Sequence, residues 1–309
     1  MARLVFIGTG DFAVQPLAAL AVGDHEVVAA VSQPDRPRGR GLHPEPTPVK
    51  TYAQQANIPV WQPETLKEPA ARDRMLAWNP DIIVVAAYGK ILPDWVMTDP
   101  PLGAINIHGS ILPAYRGAAP IQRSIINGDA KTGVTILKVA PEVDTGDILL
   151  SAATDIEADE TAGELFARLS AIGAGLISEA IDLIESGRAD WRTQPGEATY
   201  APKIDKAEAR LDWTRDAISL KNLARGLNPN PGAYFFKQGA RVKLWRSAAL
   251  PDNAGRRPGD IIELMTAGPA IACGEGALLL TELQPAGKSP MTGAEFVRGY
   301  RPRPGDMLE

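Results

Sequence analysis

The chain has 309 residues, 45 % hydrophobic and 22 % charged, with 27 Pro and 29 Gly spread along its length, the composition of a globular protein long enough for two domains with a core each. Its net charge of −5 counts on average against a nucleic-acid partner, but residues 1–208 carry 18 Lys+Arg against 27 Asp+Glu (−9) while residues 209–309 carry 14 against 10 (+4), so the two parts can serve different partners. One cysteine, Cys273, excludes an internal disulfide, and three histidines, His25, His43 and His108, cannot build a Cys/His zinc site, so the chemistry is expected to be metal-free or to use carboxylates.

In chain order, the apolar runs Leu4 to Ile7, Val27 to Val31, Ile82 to Ala87 and Ala104 to Ile107 lack alternation, as parallel strands covered on both faces do. Segments able to form helices lie between them, among them Pro48 to Ala56 and Pro69 to Trp78. This rhythm predicts an α/β fold with a Rossmann-like open sheet. The longest apolar run, Ile82 to Tyr88, is far short of the roughly 18 residues of a membrane span, and the first run is too short for a signal-peptide core, so a cytoplasmic location is expected.

The first strand runs into Gly8-Thr9-Gly10-Asp11-Phe12-Ala13, a G-x-G-x-x-A pattern that suggests a nicotinamide-dependent oxidoreductase. The acidic residue expected at the end of the second strand is missing, because that strand ends Val31-Ser32-Gln33, and Asp11 sets a carboxylate where a pyrophosphate would lie. A tight strand-to-helix turn is the favoured reading. The next loop, Asp35 to Pro48, carries Arg36, Arg38 and Arg40 among Gly and Pro, a cationic segment able to meet phosphates.

The stretch Gly103 to Pro113 holds the clearest chemistry. Alternation along a strand puts Asn106 and His108 on one face and Ile105 and Ile107 on the other. At the carboxyl end of a parallel strand that polar face opens into the crevice where α/β sheets bind ligands. An amide donor and an imidazole suit addition to a carbonyl, the amide holding the oxyanion and the imidazole handling a proton near neutral pH. Between two further strand-like runs, Val134 to Val139 and Ile148 to Ala152, the loop Glu142 to Asp147 offers Asp144 as a partner for that imidazole, with ordinary turn chemistry as the alternative.

A long helix is predicted next, with Thr161 and Glu164 as a capping box, a stripe of Leu165, Leu169, Ile172, Leu176, Ile177, Ile181 and Ile184, and Gly187 as its stop. The domain boundaries follow: a catalytic domain at 1–187, a polar, Pro-broken linker at 188–208, and a smaller C-terminal domain at 209–309, whose short strands are spaced as in an OB-like β-barrel.

Asn106-Ile-His108-Gly-Ser110-Ile-Leu-Pro113, Tyr115-Arg-Gly-Ala-Ala-Pro-Ile-Gln122 and Val143-Asp-Thr-Gly-Asp147 together resemble the catalytic region of formyltransferases that use 10-formyltetrahydrofolate. Gln33 to Gly41, Ala209 to Trp213, Leu227 to Ala233 and Leu283 to Lys288 extend the resemblance over nearly the whole chain. It implies transfer of a formyl group to the α-amino group of methionyl-initiator tRNA, in translation initiation. It also implies Asn106, His108 and Asp144 as the catalytic trio, Ser110, Ile111, Leu112 and Pro113 as the folate-contacting loop, Arg36, Arg38 and Arg40 as tRNA contacts, and a barrel that binds tRNA. No metal and a monomeric chain are expected. A formyltransferase acting on an amino sugar or another small amine is the nearest alternative.

Overall fold

The computed structural model describes residues 1–38 and 43–309. Its contacts divide the chain into two discontinuous units: Met1–Pro120, Lys131–Asp155 and Phe166–Pro202 form the first, and Ile121–Ala130, Ile156–Leu165 and Lys203–Glu309 the second. Residues 188–202, expected as part of a linker, thus belong by contacts to the first unit, because they pair with its loops.

The first unit is built on a seven-stranded sheet of β1 (Arg3–Gly8), β2 (Glu26–Val31), β3 (Val60–Trp61), β4 (Ile82–Ala86), β5 (Ala104–His108), β6 (Lys131–Lys138) and β7 (Ile148–Asp155), in the spatial order β7-β6-β5-β4-β1-β2-β3. The pairs β3-β2, β2-β1, β1-β4 and β4-β5 are parallel, and β5-β6 and β6-β7 antiparallel. The helices α1 (Val14–Ala21), α2 (Pro48–Gln55), α3 (Pro69–Leu76) and α4 (Trp95–Thr98) lie between the parallel strands in sequence. Val5, Ile7, Ile83 and Val85 share one core with Met75 and Val96, and Leu4, Phe6, Ile82 and Val84 are fully buried too. Strands covered on both faces therefore read as unbroken apolar runs.

After α5 (Pro120–Ile126) comes the long α6 (Ala162–Glu185). It starts at a reciprocal cap: Glu164 N donates to Thr161 Oγ1 at 3.3 Å and Thr161 N to Glu164 Oε2 at 2.8 Å. Leu165, Leu169, Ile177, Ile181 and Ile184 of the predicted stripe are buried, while Ile172 and Leu176 at its edge are half-buried.

The second unit carries α7 (Ala217–Gly226) and an antiparallel sheet, β8 (Ala233–Lys237), β9 (Ala240–Leu250), β10 (Ile261–Met265), β11 (Gly268–Ala272), β12 (Ala277–Pro285) and β13 (Met291–Thr292), followed by α8 (Gly293–Tyr300). The order β8-β9-β12-β11-β10 leaves β8 and β10 at the edges. The last residues bridge these edges: Ile261 N donates to Asp306 O and Leu308 N to Gly259 O, both at 2.8 Å, while Phe236 and Glu309 exchange two backbone bonds at 2.7 and 2.9 Å. The carboxyl terminus is the stave that closes the barrel, and Leu308, 2 % exposed, enters a core with Trp213, Phe235, Leu244, Leu280 and Phe296.

Candidate active site

β5 stands where the sheet changes from parallel to antiparallel, with Asn106 opposite Leu137 and His108 opposite Thr135 of β6. Ile105 and Ile107 are buried in the packed interior, and Asn106 is half-buried on the alternate face. His108 is buried at 5 % exposure. The loop between β6 and β7 brings in Asp144. Its Oδ1 accepts from Asn106 Nδ2 at 3.1 Å, and its Oδ2 accepts from Gly117 N at 2.9 Å and lies 3.4 Å from His108 Nδ1. One carboxylate thus joins the amide, the imidazole and a backbone N–H.

The other ring nitrogen, His108 Nε2, is 2.9 Å from the Tyr115 carbonyl. A carbonyl oxygen can only accept, so Nε2 carries a hydrogen, and the opposite edge of the ring faces the carboxylate. Asn106 gives one amide hydrogen to Asp144; among the described residues the second has no partner.

The loop geometry is set by close approach. A Cβ on Gly146 would lie 2.0 Å from the Lys138 carbonyl oxygen, so only glycine lets the chain turn there. Asp144 holds φ 55° and Tyr115 φ 62°, left-handed conformations that side chains disfavour. Both residues that supply partners to His108 are therefore held away from their backbone preferences.

The folate-loop candidates divide into two kinds. Ser110 Oγ donates to the Ala114 carbonyl at 2.6 Å, while Thr135 Oγ1 donates to the Ser110 carbonyl at 2.7 Å and accepts from Leu112 N at 3.2 Å. Ser110 and the buried Leu112 thus shape the loop, whereas Ile111 and Pro113 keep partly exposed apolar surface. Arg36 is exposed and donates to Glu64 Oε2 at 3.0 Å, in a short hairpin of Arg36–Arg38 with His43–Glu45. Arg38 is placed there by its backbone alone, and Arg40 lies outside the described residues.

The Gly8 turn is a packing feature, since a Cβ there would lie 2.8 Å from the Ala86 carbonyl oxygen and 2.9 Å from Ala13 Cβ. Burial pushes the thiol of Cys273 up to about 12, leaving it unreactive. Among the described residues no three His, Cys, Asp or Glu side chains converge as a metal site, and no helix is long and apolar enough to cross a membrane.

Sequence patterns passed over several residues that complete this region: the Tyr115 carbonyl, Gly117 N, Thr135, and two residues of the expected linker, Gln194 and Thr199. Gln194 Nε2 donates to the carbonyls of Asp144 and Gly146 at 2.8 and 2.9 Å, and Thr199 Oγ1 accepts from Tyr115 N at 2.9 Å. The polar composition of 188–208 carries no periodicity that points to these contacts.

An open sheet with a polar Asn/His/Asp cluster at the end of β5 precedes a small antiparallel barrel, and the chain belongs to the formyl transferases: residues 2–181 match Formyl transferase and residues 203–301 match Formyl transferase, C-terminal domain. The methionyl-tRNA formyltransferase of Methylobacterium sp. (strain 4-46) is 44 % identical over 311 residues, covering 99 % of each chain. That of Bacillus subtilis (strain 168) is 44 % identical over 310 residues, covering 100 % of this chain and 98 % of its own. Within the family the chain is a member of the methionyl-tRNA formyltransferases, and so a formyl-transferring enzyme. The fold recurs at low identity in WlaRD, a sugar 3N-formyl transferase (TM-score 0.66, 17 % identity, covering 94 % of this chain and 99 % of that one). It recurs also in HypX from Aquifex aeolicus in complex with tetrahydrofolic acid (TM-score 0.66, 18 % identity, covering 96 % of this chain and 48 % of that one).

Proposed function

We propose that the chain moves the formyl group of 10-formyltetrahydrofolate to the α-amino group of methionine esterified to initiator tRNA, with Asn106, His108 and Asp144 as its catalytic residues. The observation that carries this reading is the shared Asp144 carboxylate, which holds an amide donor and an imidazole side by side at the end of β5. The amine attacks the formyl carbon, a C–N bond forms, and the carbonyl oxygen gains negative charge. The second amide hydrogen of Asn106 meets that oxygen. His108 holds a hydrogen on Nε2 against the Tyr115 carbonyl, and an oxyanion, the stronger acceptor, shares that hydrogen bond while the proton stays on nitrogen. Asp144 keeps the imidazole in place throughout. As the C–N10 bond breaks, the proton lost by the amine ends on N10, so no protein nucleophile is needed.

The donor fits the apolar surface that Ile111 and Pro113 leave open a few residues beyond His108. The basic residues of 209–309 and the arginines Arg36, Arg38 and Arg40 are what we assign to tRNA, the chain acting as a monomer in the cytoplasm. The test is formylation of charged initiator tRNA against small amines, amino sugars included, at two salt concentrations. A tRNA enzyme loses affinity steeply as salt rises. Equal use of a small amine, with no salt dependence, overturns the tRNA assignment.

A further inference from the structure

Both partners of His108 are supplied by residues in the left-handed region, Asp144 and Tyr115, and such conformations persist only where the surroundings fix them. In each case a side chain from residues 194–199 does the fixing. Gln194 spends its whole amide on this: Nε2 donates to the Asp144 and Gly146 carbonyls at 2.8 and 2.9 Å, and Oε1 accepts from Arg116 Nε and Nη2 at 3.1 and 2.6 Å. Thr199 Oγ1 accepts from Tyr115 N at 2.9 Å, its carbonyl accepts from Arg116 N at 2.9 Å, and its N donates to the Pro113 carbonyl at 3.3 Å. Tyr200 and Ala201 then pair in parallel with Arg116 and Gly117, the latter being the backbone donor to Asp144.

We propose that Gln194 and Thr199 are positioning residues for formyl transfer: they clamp the two loops from which His108 takes its partners and so fix the orientation of its ring. The proposal rests on the catalytic reading above. Among the described residues neither side chain hydrogen-bonds to the imidazole or to Asn106, and the effect passes through the backbones of Asp144 and Tyr115. Misplacement of about an ångström in such a site costs up to about a hundredfold in rate.

The experiment compares Gln194→Met, which keeps length and removes the amide, Thr199→Val, which keeps shape and removes the acceptor, and Thr199→Ser, which restores it. kcat and KM are measured separately, and the His108 ring-nitrogen resonances are followed by NMR in the same full-length proteins. Gln194→Met is expected to lower kcat about tenfold or more, with KM for both substrates within about twofold, and to move the Nδ1 resonance. Thr199→Val is expected to lower kcat less and move the Nε2 resonance, and Thr199→Ser to return both. Unmoved resonances in folded Gln194→Met and Thr199→Val overturn the clamp, whether or not turnover falls. Asn106→Ala separates the two levels of the account. If it loses turnover while the clamp variants do not, the clamp alone fails; if it keeps turnover, the catalytic reading fails, and the resonances still decide whether the clamp holds His108.

Discussion

Carboxylates in the two units do different work. In the first, the Asp144 side chain is largely buried and satisfies an amide, an imidazole and a backbone N–H at once. In the second they lie near the surface and hold the frame: Asp216 caps α7 by accepting from Ser219 N at 2.8 Å, and Glu208 accepts from Arg123 Nη1 and Nη2 at 2.6 and 2.9 Å. Glu164 takes Arg246 Nη2 at 2.7 Å besides its place in the cap of α6. The first cluster stands at the end of β5, where the proposed reaction occurs, whereas the exposed pairs only tie elements together and are resolvated at little cost when broken. Substitutions in the first cluster should therefore change chemistry, and those in the second should change stability alone.

The largest effect expected on that contrast is in turnover. Asn106→Ala should lower kcat by about 10²- to 10³-fold with the melting temperature nearly unchanged, read by steady-state formylation beside thermal unfolding. A variant with wild-type turnover removes Asn106 from the mechanism.

Next comes the stave that closes the barrel. Leu308→Ala should destabilise the second unit by about 2–5 kcal/mol, the range for emptying a buried leucine site, in urea unfolding. Because the proposed catalytic cluster lies in the other unit, kcat below the transition should stay near wild type; a large fall in kcat there would break the contrast.

The smallest effect concerns Glu164, whose carboxyl is brought down to about 2 by bonds from Thr161 and by Arg246, against an ordinary 4.5. A depressed pKa stabilises the fold above the unfolded value, so the contribution is complete above about pH 4.5 and fades as pH falls toward 2. Since this side chain is half exposed, Glu164→Gln should cost under about 1 kcal/mol at pH 7, shrinking at pH 2.5, in paired denaturation curves. A cost that grows on acidification would show that another group governs this cap.

How much of this was legible in the sequence varied with the kind of signal. The parallel strands announced themselves because strands buried on two faces need unbroken apolar runs, as at Ile82 to Ala86. Asn106 and His108 were legible as a pair because alternation places them on one face. Asp144 could be read only as one of two possibilities, a partner for the imidazole or a turn residue, and its bond to Asn106 not at all, since these contacts cross 36 and 38 residues of chain and depend on a left-handed turn that spacing does not encode. Two segments carried no pattern at all. Residues 188–208 read as a linker because their contacts are isolated polar bonds, and residues 305–309 closed the barrel through backbone groups that every residue possesses. Ser110 carries a structural duty that the sequence did not signal, its hydroxyl donating to the Ala114 carbonyl.

The central claim is that Asp144 organises Asn106 and His108 for formyl transfer, and Asp144→Asn tests it most directly. The amide keeps the size of the side chain but puts a donor where Gly117 N or Asn106 Nδ2 needs an acceptor, and it removes the charge facing His108. Single-turnover formylation of charged initiator tRNA should slow by about 10²- to 10⁴-fold while the His108 Nδ1 resonance moves in the same folded protein. A wild-type rate with an unmoved His108 resonance would contradict the account.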